Sequence, residues 1–92
     1  GTGLFPDSPT ERGRKHVRSL VEAVKRGHRG VIAFVVQRSD ADAFAPNEVA
    51  DPEFCQTLRL AADGGVEVYA YRCRVTLGEI EISGPIPVRL GH

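Results

Sequence analysis

Eight consecutive residues, Gly30 to Gln37 (GVIAFVVQ), constrain this chain more than any other stretch. The run is apolar and largely β-branched, with Arg29 before it and Arg38 after it. Val and Ile lose side-chain freedom in a helix and fit a pleated surface, so the run reads as a strand. A strand that is apolar at every position, rather than at alternate ones, is expected to be buried on both faces. That is the habit of strands in a parallel or mixed sheet.

Helical segments flank the run, which sets the class as α/β. Ser8, Pro9 and Glu11 read as a capping box with proline at the first helical position. Phe5 precedes a proline and is expected to be extended. Val17, Leu20, Val21 and Val24 then recur at helical spacing and form one apolar face. Gly27 ends this helix, with Lys25 and Arg26 in the last turn, where the helix dipole favours cations. Gly13 lies inside it at a cost of about 1 kcal/mol relative to Ala, and is expected to allow close approach of another backbone or a ligand.

Beyond the apolar run, Arg38 to Ala50 reads as a long ordered loop. Asp51-Pro52-Glu53 opens a second helix by the same cap-then-proline logic. Phe54, Leu58 and Ala61 form its inner face, with Cys55 and Ala62 beside them, and Gly64-Gly65 terminates it. Val66 to Tyr71 (VEVYAY) is β-rich and alternates, so it is a strand. Strand, helix, strand implies a right-handed parallel βαβ unit. Tyr69 and Tyr71 share one face of that strand and are expected to pack under a helix. Val75 to Ile82 reads as a small hairpin strand with Gly78 near its bend, and Pro85 and Pro87 keep the last segment extended at an edge. The expected order is helix, strand, helix, strand, short edge strands. At 92 residues this is one domain or a piece of one, and so few strands make a thin sandwich. The opening GTGLFPD has no initiator Met and places Leu4 and Phe5 with nothing before them to pack on, so earlier chain is expected.

Formal net charge is zero, so total charge names no partner. Its distribution is more informative. Seven of the twelve Lys and Arg residues fall between Thr10 and Arg29, opposed only by Glu11 and Glu22, whereas Asp40 to Glu81 is acidic. Two cysteines, Cys55 and Cys73, lack zinc-ligand spacing and read as buried reduced thiols, which suits a cytoplasmic protein. No apolar stretch is long enough to span a membrane, and no secretory leader is legible.

The candidate chemistry gathers on the first helix. Arg12, Lys15, His16 and Ser19 lie on adjacent ridges beside the apolar stripe. Asp7, Thr10 and Arg12 cluster at its N-terminal end, where unpaired backbone amides favour anions. Cations, donors and a helix N-terminus together suit a phosphate backbone; a solvated charged face is the alternative. Histidine as a class can exchange protons near neutrality, so His16 is a candidate base or phosphate contact, while His28 and His92 have no evident partner. Asp40, Asp42, Glu48, Asp51 and Glu53 form an acidic stretch. Carboxylates of that kind can hold Mg²⁺, but these lack ligand spacing, and loop solubility with capping by Asp51 accounts for them. No metal site is assigned within the chain.

The string FPDSPTERGRKHVRSL resembles the segment that opens the main helix in the sugar fermentation stimulation protein A (SfsA) family. The blocks VIAFVVQRSDADAF, DPEF, GVEVYAYRCRV and IPVRL continue the resemblance in order along nearly the whole chain. It implies a cytoplasmic DNA-binding protein linked to regulation of sugar (maltose) utilisation. Its fold would be an N-terminal OB-like region followed by a restriction-endonuclease-like, PD-(D/E)XK-type domain. In that fold a strand Asp and a following Glu-x-Lys bind Mg²⁺ and position water. No Glu-x-Lys lies on a strand here; in the family it precedes the FPD string. The resemblance therefore implies that residues 1–92 are the C-terminal portion of the nuclease-like domain, expected to be inactive alone. What carries over is Asp7, Thr10, Arg12, Gly13, Lys15 and His16. Of these, Asp7, Thr10, Arg12, Lys15 and His16 are expected to contact nucleic acid, with Lys15 and His16 as accessory catalytic candidates. DNA is the expected partner, with RNA as the alternative. Two competing readings are a non-catalytic nucleic-acid-binding or regulatory domain, and an interaction fragment stable only as a homo-oligomer.

Overall fold

The computed structural model describes residues 1–38 and 40–91; His92 lies outside them. Seven elements follow in order: β1 (Thr2–Phe5), α1 (Glu11–Lys25), β2 (Val31–Val36), β3 (Ala43–Pro46), α2 (Pro52–Asp63), β4 (Glu67–Thr76) and β5 (Glu79–Ile86). They form an α/β fold with one three-stranded sheet, β2-β4-β5, and one two-stranded sheet, β1-β3. Strand β2 runs parallel to β4, in register from Val31 opposite Glu67 to Val36 opposite Arg72. With α2 between them in sequence, this is the expected parallel βαβ arrangement. Strand β5 returns antiparallel to β4 at the sheet edge, and Gly78 supplies the positive φ of the hairpin turn. The hairpin is longer than its sequence suggests, because β4 continues to Thr76 and β5 reaches Ile86.

Two elements depart from the expected order. Strand β1 precedes the first helix, and the stretch read as a loop contains β3. These two short strands pair in parallel, Thr2 opposite Ala43 through Phe5 opposite Pro46. The segment around Val88 lines the other side of β3: Phe44 N–H donates to Pro87 O, and Arg89 N–H donates to Phe44 O. A four-residue strand such as Ala43–Pro46, poor in β-branched residues, exists only because non-local backbone partners satisfy it on both edges.

The core sits between the helices and one face of the main sheet. Val17 of α1 packs with Phe54, Leu58 and Ala61 of α2 and with Val66, and Leu20, Val21, Val24, Ile32, Phe34 and Val68 close around them. A second cluster of Ala41, Phe44, Ala70 and Ile86 meets the first through Phe34. The Phe34 ring stacks on Phe44 at 4.3 Å and meets Phe54 edge-on at 6.5 Å, while Phe5 contacts Phe54 at 5.4 Å. Both cysteines are free and buried.

Within residues 1–92 the apolar run is covered on one face only. Along β2 exposure alternates: Ile32 and Phe34 turn toward the helices and Val36 toward Phe44 and Gly3, whereas Val31, Ala33 and Val35 are exposed. Helices cover only one side of this sheet, and a strand apolar on both sides is then half uncovered. The same geometry corrects the tyrosines. They share a face as expected, but it is the uncovered one: Tyr69 is exposed and Tyr71 half-buried, opposite Ala33 and Val35. Tyr69 O–H donates to Glu67 at 2.6 Å, and Arg29 holds the same carboxylate through two bonds. Those donors, Arg29 first and then Tyr69, pull the Glu67 carboxyl down to about 2.

Candidate nucleic-acid interface on the first helix

Helix α1 is held at its start by a different residue from the one the sequence suggests. The N-cap is Thr10, not Ser8: its φ and ψ are extended, and its hydroxyl accepts from Gly13 N–H at 3.0 Å. Three potential caps, Asp7, Ser8 and Thr10, lie within four positions. A tertiary contact decides among them. Thr10 N–H donates to Asp51 Oδ2 at 2.8 Å, and Asp51 is itself the N-cap of α2, accepting from Phe54 N–H at 2.9 Å. The start of the second helix at Asp51-Pro52 is as expected, with Pro52 in its first turn.

Asp51 is therefore shared by two helix N-termini. It is 3% exposed and takes a third bond, from Arg14 Nη1 at 2.6 Å. Arg14 also lies 3.4 Å from Glu53 through its Nε and is 17% exposed. The amides of Thr10 and Phe54 and the Arg14 guanidinium hold the Asp51 carboxyl below its usual range, against the opposing effect of burial. Two ends of positive helix potential and a cation on one carboxylate make a favourable anion environment, but the anion is already supplied by the chain. The backbone amides of Thr10 and Gly13 are thus occupied.

The other candidates project outward. Arg12, Lys15 and His16 are exposed at i, i+3 and i+4 on one face, as is Arg18. Lys15 makes one loose contact, 3.8 Å to the exposed Glu11. No side-chain partner among the described residues holds Arg12 or His16. Asp7 is exposed before the helix, beyond the cis Phe5–Pro6 peptide. The opposite side of α1 is apolar and packed, with Val17 fully buried. The structure thus brings Arg12, Lys15 and His16 together and gives Thr10 a capping role. A Cβ at Gly13 would stand 2.9 Å from the Thr10 side chain and 3.2 Å from the Phe54 ring.

Arg14 escaped the sequence reading. The signal was present: Arg14 precedes Val17 by three positions and Val21 by seven, so it continues the apolar stripe rather than the basic face. The acidic stretch is dispersed. Asp40 pairs with Arg38, Glu48 with Arg59, and Asp51 and Glu53 with Arg14. Among the described residues no cluster of three His, Cys, Asp or Glu side chains could hold a metal ion, and no helix is long and apolar enough to cross a membrane.

Comparison with known proteins gives one consistent result. The family model described as "Sugar fermentation stimulation protein RE domain" matches residues 1–79. The sugar fermentation stimulation protein homolog of Geobacter sulfurreducens is 53% identical over 92 residues, covering the whole of this chain and 40% of the relative. That of Moorella thermoacetica is 48% identical over 90 residues, covering 98% of this chain and 39% of the relative. The solved structure of Pyrococcus furiosus SfsA in complex with Ca²⁺ superposes with a TM-score of 0.90 at 30% identity, over 96% of this chain and 38% of that one. The chain spans about 40% of the length of the curated relatives it matches. By sequence along its length and by fold, this chain belongs to the sugar fermentation stimulation protein (SfsA) family.

Proposed function

We propose that this chain forms the nucleic-acid-facing wall of a restriction-endonuclease-like, PD-(D/E)XK-type domain, and that Arg12, Lys15 and His16 grip DNA phosphates. Residues 1–92 are then the later portion of that domain, in a DNA-binding protein of the cytoplasm. The observation that carries this reading is the two-sidedness of α1. Its apolar side is packed on α2 and the sheet, while Arg12, Lys15 and His16 stand exposed together on the other. Positive groups on one rigid face, without a buried partner, are what a sequence-independent phosphate contact requires.

The metal chemistry of such a domain does not fit the residues of this chain. Asp40, Glu48, Asp51 and Glu53 of its acidic stretch pair with arginines, and no cluster among the described residues offers a ligand set. The Pyrococcus relative was solved with Ca²⁺, a hard cation that takes oxygen ligands as Mg²⁺ does. In the proposed whole protein a Mg²⁺-dependent nuclease centre would draw its ligands from outside these residues, and this chain alone would not cleave. Lys15 and His16 would border that centre as accessory groups.

The test is a binding isotherm of the intact protein on duplex DNA across a range of salt concentrations. Affinity should fall steeply with salt, and Arg12→Ala and Lys15→Ala should each reduce the logarithmic slope by about one. Salt-independent binding, or slopes unchanged in both variants, would remove this face from the interface. Incubation with Mg²⁺ or Mn²⁺ then separates cleavage from binding alone, and an RNA duplex run in parallel separates the two nucleic acids.

A further inference from the structure

We infer that Arg14 and Asp51 are positioning residues for the basic face of α1: they fix the direction in which Arg12, Lys15 and His16 project, and neither touches phosphate itself. This rests on the reading of that face as a phosphate contact.

The geometry that carries the inference is the convergence on one carboxylate. Asp51 Oδ2 receives Thr10 N–H at 2.8 Å and Arg14 Nη1 at 2.6 Å, while Oδ1 receives Phe54 N–H at 2.9 Å. Thr10 caps α1 and Asp51 caps α2, although they lie 41 positions apart. The first turn of one helix is thereby tied to the first turn of the other through a single side chain. Arg14 adds a second tie one helical turn along, and its guanidinium spans Asp51 and Glu53.

Arg14 is the basic residue of this segment turned inward. On a helix it lies roughly 200° from Arg12, on the side of Val17, and its donors already face two carboxylates. A guanidinium committed in this way has little left to offer a phosphate. The apolar contacts of Val17 with Phe54, Leu58 and Ala61 hold the middle of α1 against α2, but such packing is non-directional. Directional bonds at the N-terminal turn are what set the angle of the residues next to it. Removing one member strands a buried charge and frees that turn.

Positioning, direct contact and field effects predict different results. Duplex DNA binding by the intact protein should be measured at several salt concentrations for Arg14→Met, Arg14→Lys, Asp51→Asn and the double variant Arg14→Met/Asp51→Asn, with Arg12→Ala as reference. If the pair positions the face, Arg14→Met and Asp51→Asn both weaken binding, on the order of tenfold, because contacting groups drift when their support is lost. The salt slope stays at its original value in both, whereas Arg12→Ala lowers it by about one. The double variant is no weaker than the worse single one, and Arg14→Lys recovers part of the loss by pairing with Asp51 alone.

A slope lowered by about one in Arg14→Met makes Arg14 a phosphate contact and overturns the inference. Opposite signs, with Asp51→Asn tighter and Arg14→Met weaker, mean that the two act only through their charges, and also overturn it. So does unchanged affinity in both. Asp51→Asn guards against a misfolded Arg14→Met, since asparagine is also a good N-cap, and circular dichroism at the assay temperature verifies the fold. Failure of the unaltered protein to bind at low salt overturns the phosphate reading itself and this inference with it, a result distinct from the other three.

Discussion

Replacing Gly13 by alanine should destabilise the protein, although the same change in most helix interiors is stabilising. The favourable part is generic. Gly13 is the third residue of α1, so alanine gains at most the roughly 1 kcal/mol that it has over glycine in a helix interior, largely because the unfolded chain loses freedom. The unfavourable part is particular to this site. A Cβ at position 13 would stand 2.9 Å from Thr10 Cγ2, 3.1 Å from Thr10 Oγ1 and 3.2 Å from Phe54 Cε1. If Thr10 rotates away, Gly13 N–H loses its cap, at about 1 kcal/mol. The Phe54 ring is buried among Phe5 and Phe34, and pushing it back is overpacking, which costs roughly 1–3 kcal/mol. Costs of about 2–4 against a gain of about 1 leave a net loss of roughly 1–3 kcal/mol. For a chain of this length that lowers Tm by approximately 5–20 °C. Thermal unfolding followed by circular dichroism measures it. Thr10→Ser removes the closest atom while keeping the capping hydroxyl, so it should be near neutral alone and restore part of the loss in the Gly13→Ala background. A Gly13→Ala protein with an equal or higher Tm would refute the steric reasoning. So would a Thr10→Ser effect identical in the two backgrounds.

Leu58→Ala, at a fully buried position between the helices, should cost about 3–4 kcal/mol. In a chain whose whole margin is of order 5–14 kcal/mol, urea denaturation should show a much lower midpoint at an unchanged slope. Asp51 has a carboxyl held below its unfolded value, so its contribution is present above that value and is lost as pH falls through the lower folded one. The gap in urea midpoint between the unaltered protein and Asp51→Asn should therefore close on acidification below about pH 4; a constant gap down to pH 2 would contradict this. The Glu67 carboxyl follows the same sign, with stability lost as pH falls from about 4.5 toward about 2, and Glu67→Gln should remove that acid-sensitive part. Tyr69 is held above its ordinary value chiefly by its bond to Glu67, so ultraviolet titration of Glu67→Gln should show one tyrosine ionising at lower pH than before.

Strong local patterns were legible without the structure. The apolar stripes of both helices, the Asp51-Pro52 start of α2, and β2 and β4 follow from periodicity and capping. What escaped depends on distant residues. Strand β3 (Ala43–Pro46) has little intrinsic β preference and is made by pairing with β1 and the segment around Val88. Thr10 prevails over Ser8 as a cap because Asp51 reaches its amide from 41 positions away. The two-faced apolar character of β2 was correctly visible, but local sequence does not reveal whether a second layer covers Val31, Ala33 and Val35. At the candidate interface, helical spacing places Arg12, Lys15 and His16 on one outward face, whereas Arg14 carries the same charge but sits on the apolar stripe, so its inward role depends on Asp51 and Glu53 of the distant second helix.

The division of labour along α1 also bears on how freely the protein can vary. Among the described residues, Arg12 and His16 have no side-chain partner and Lys15 has only its loose contact with Glu11, while the residues that hold the helix in place are interlocked with α2. Exchanging Arg12, Lys15 or His16 should therefore alter the proposed phosphate contact without disturbing the architecture. A change at Gly13, Arg14 or Asp51 disturbs that interlock, and a compensating change at one of its partners should offset part of the loss. Laboratory selection for tighter or looser binding should accumulate substitutions at the first set singly, and at the second set chiefly in compensating pairs.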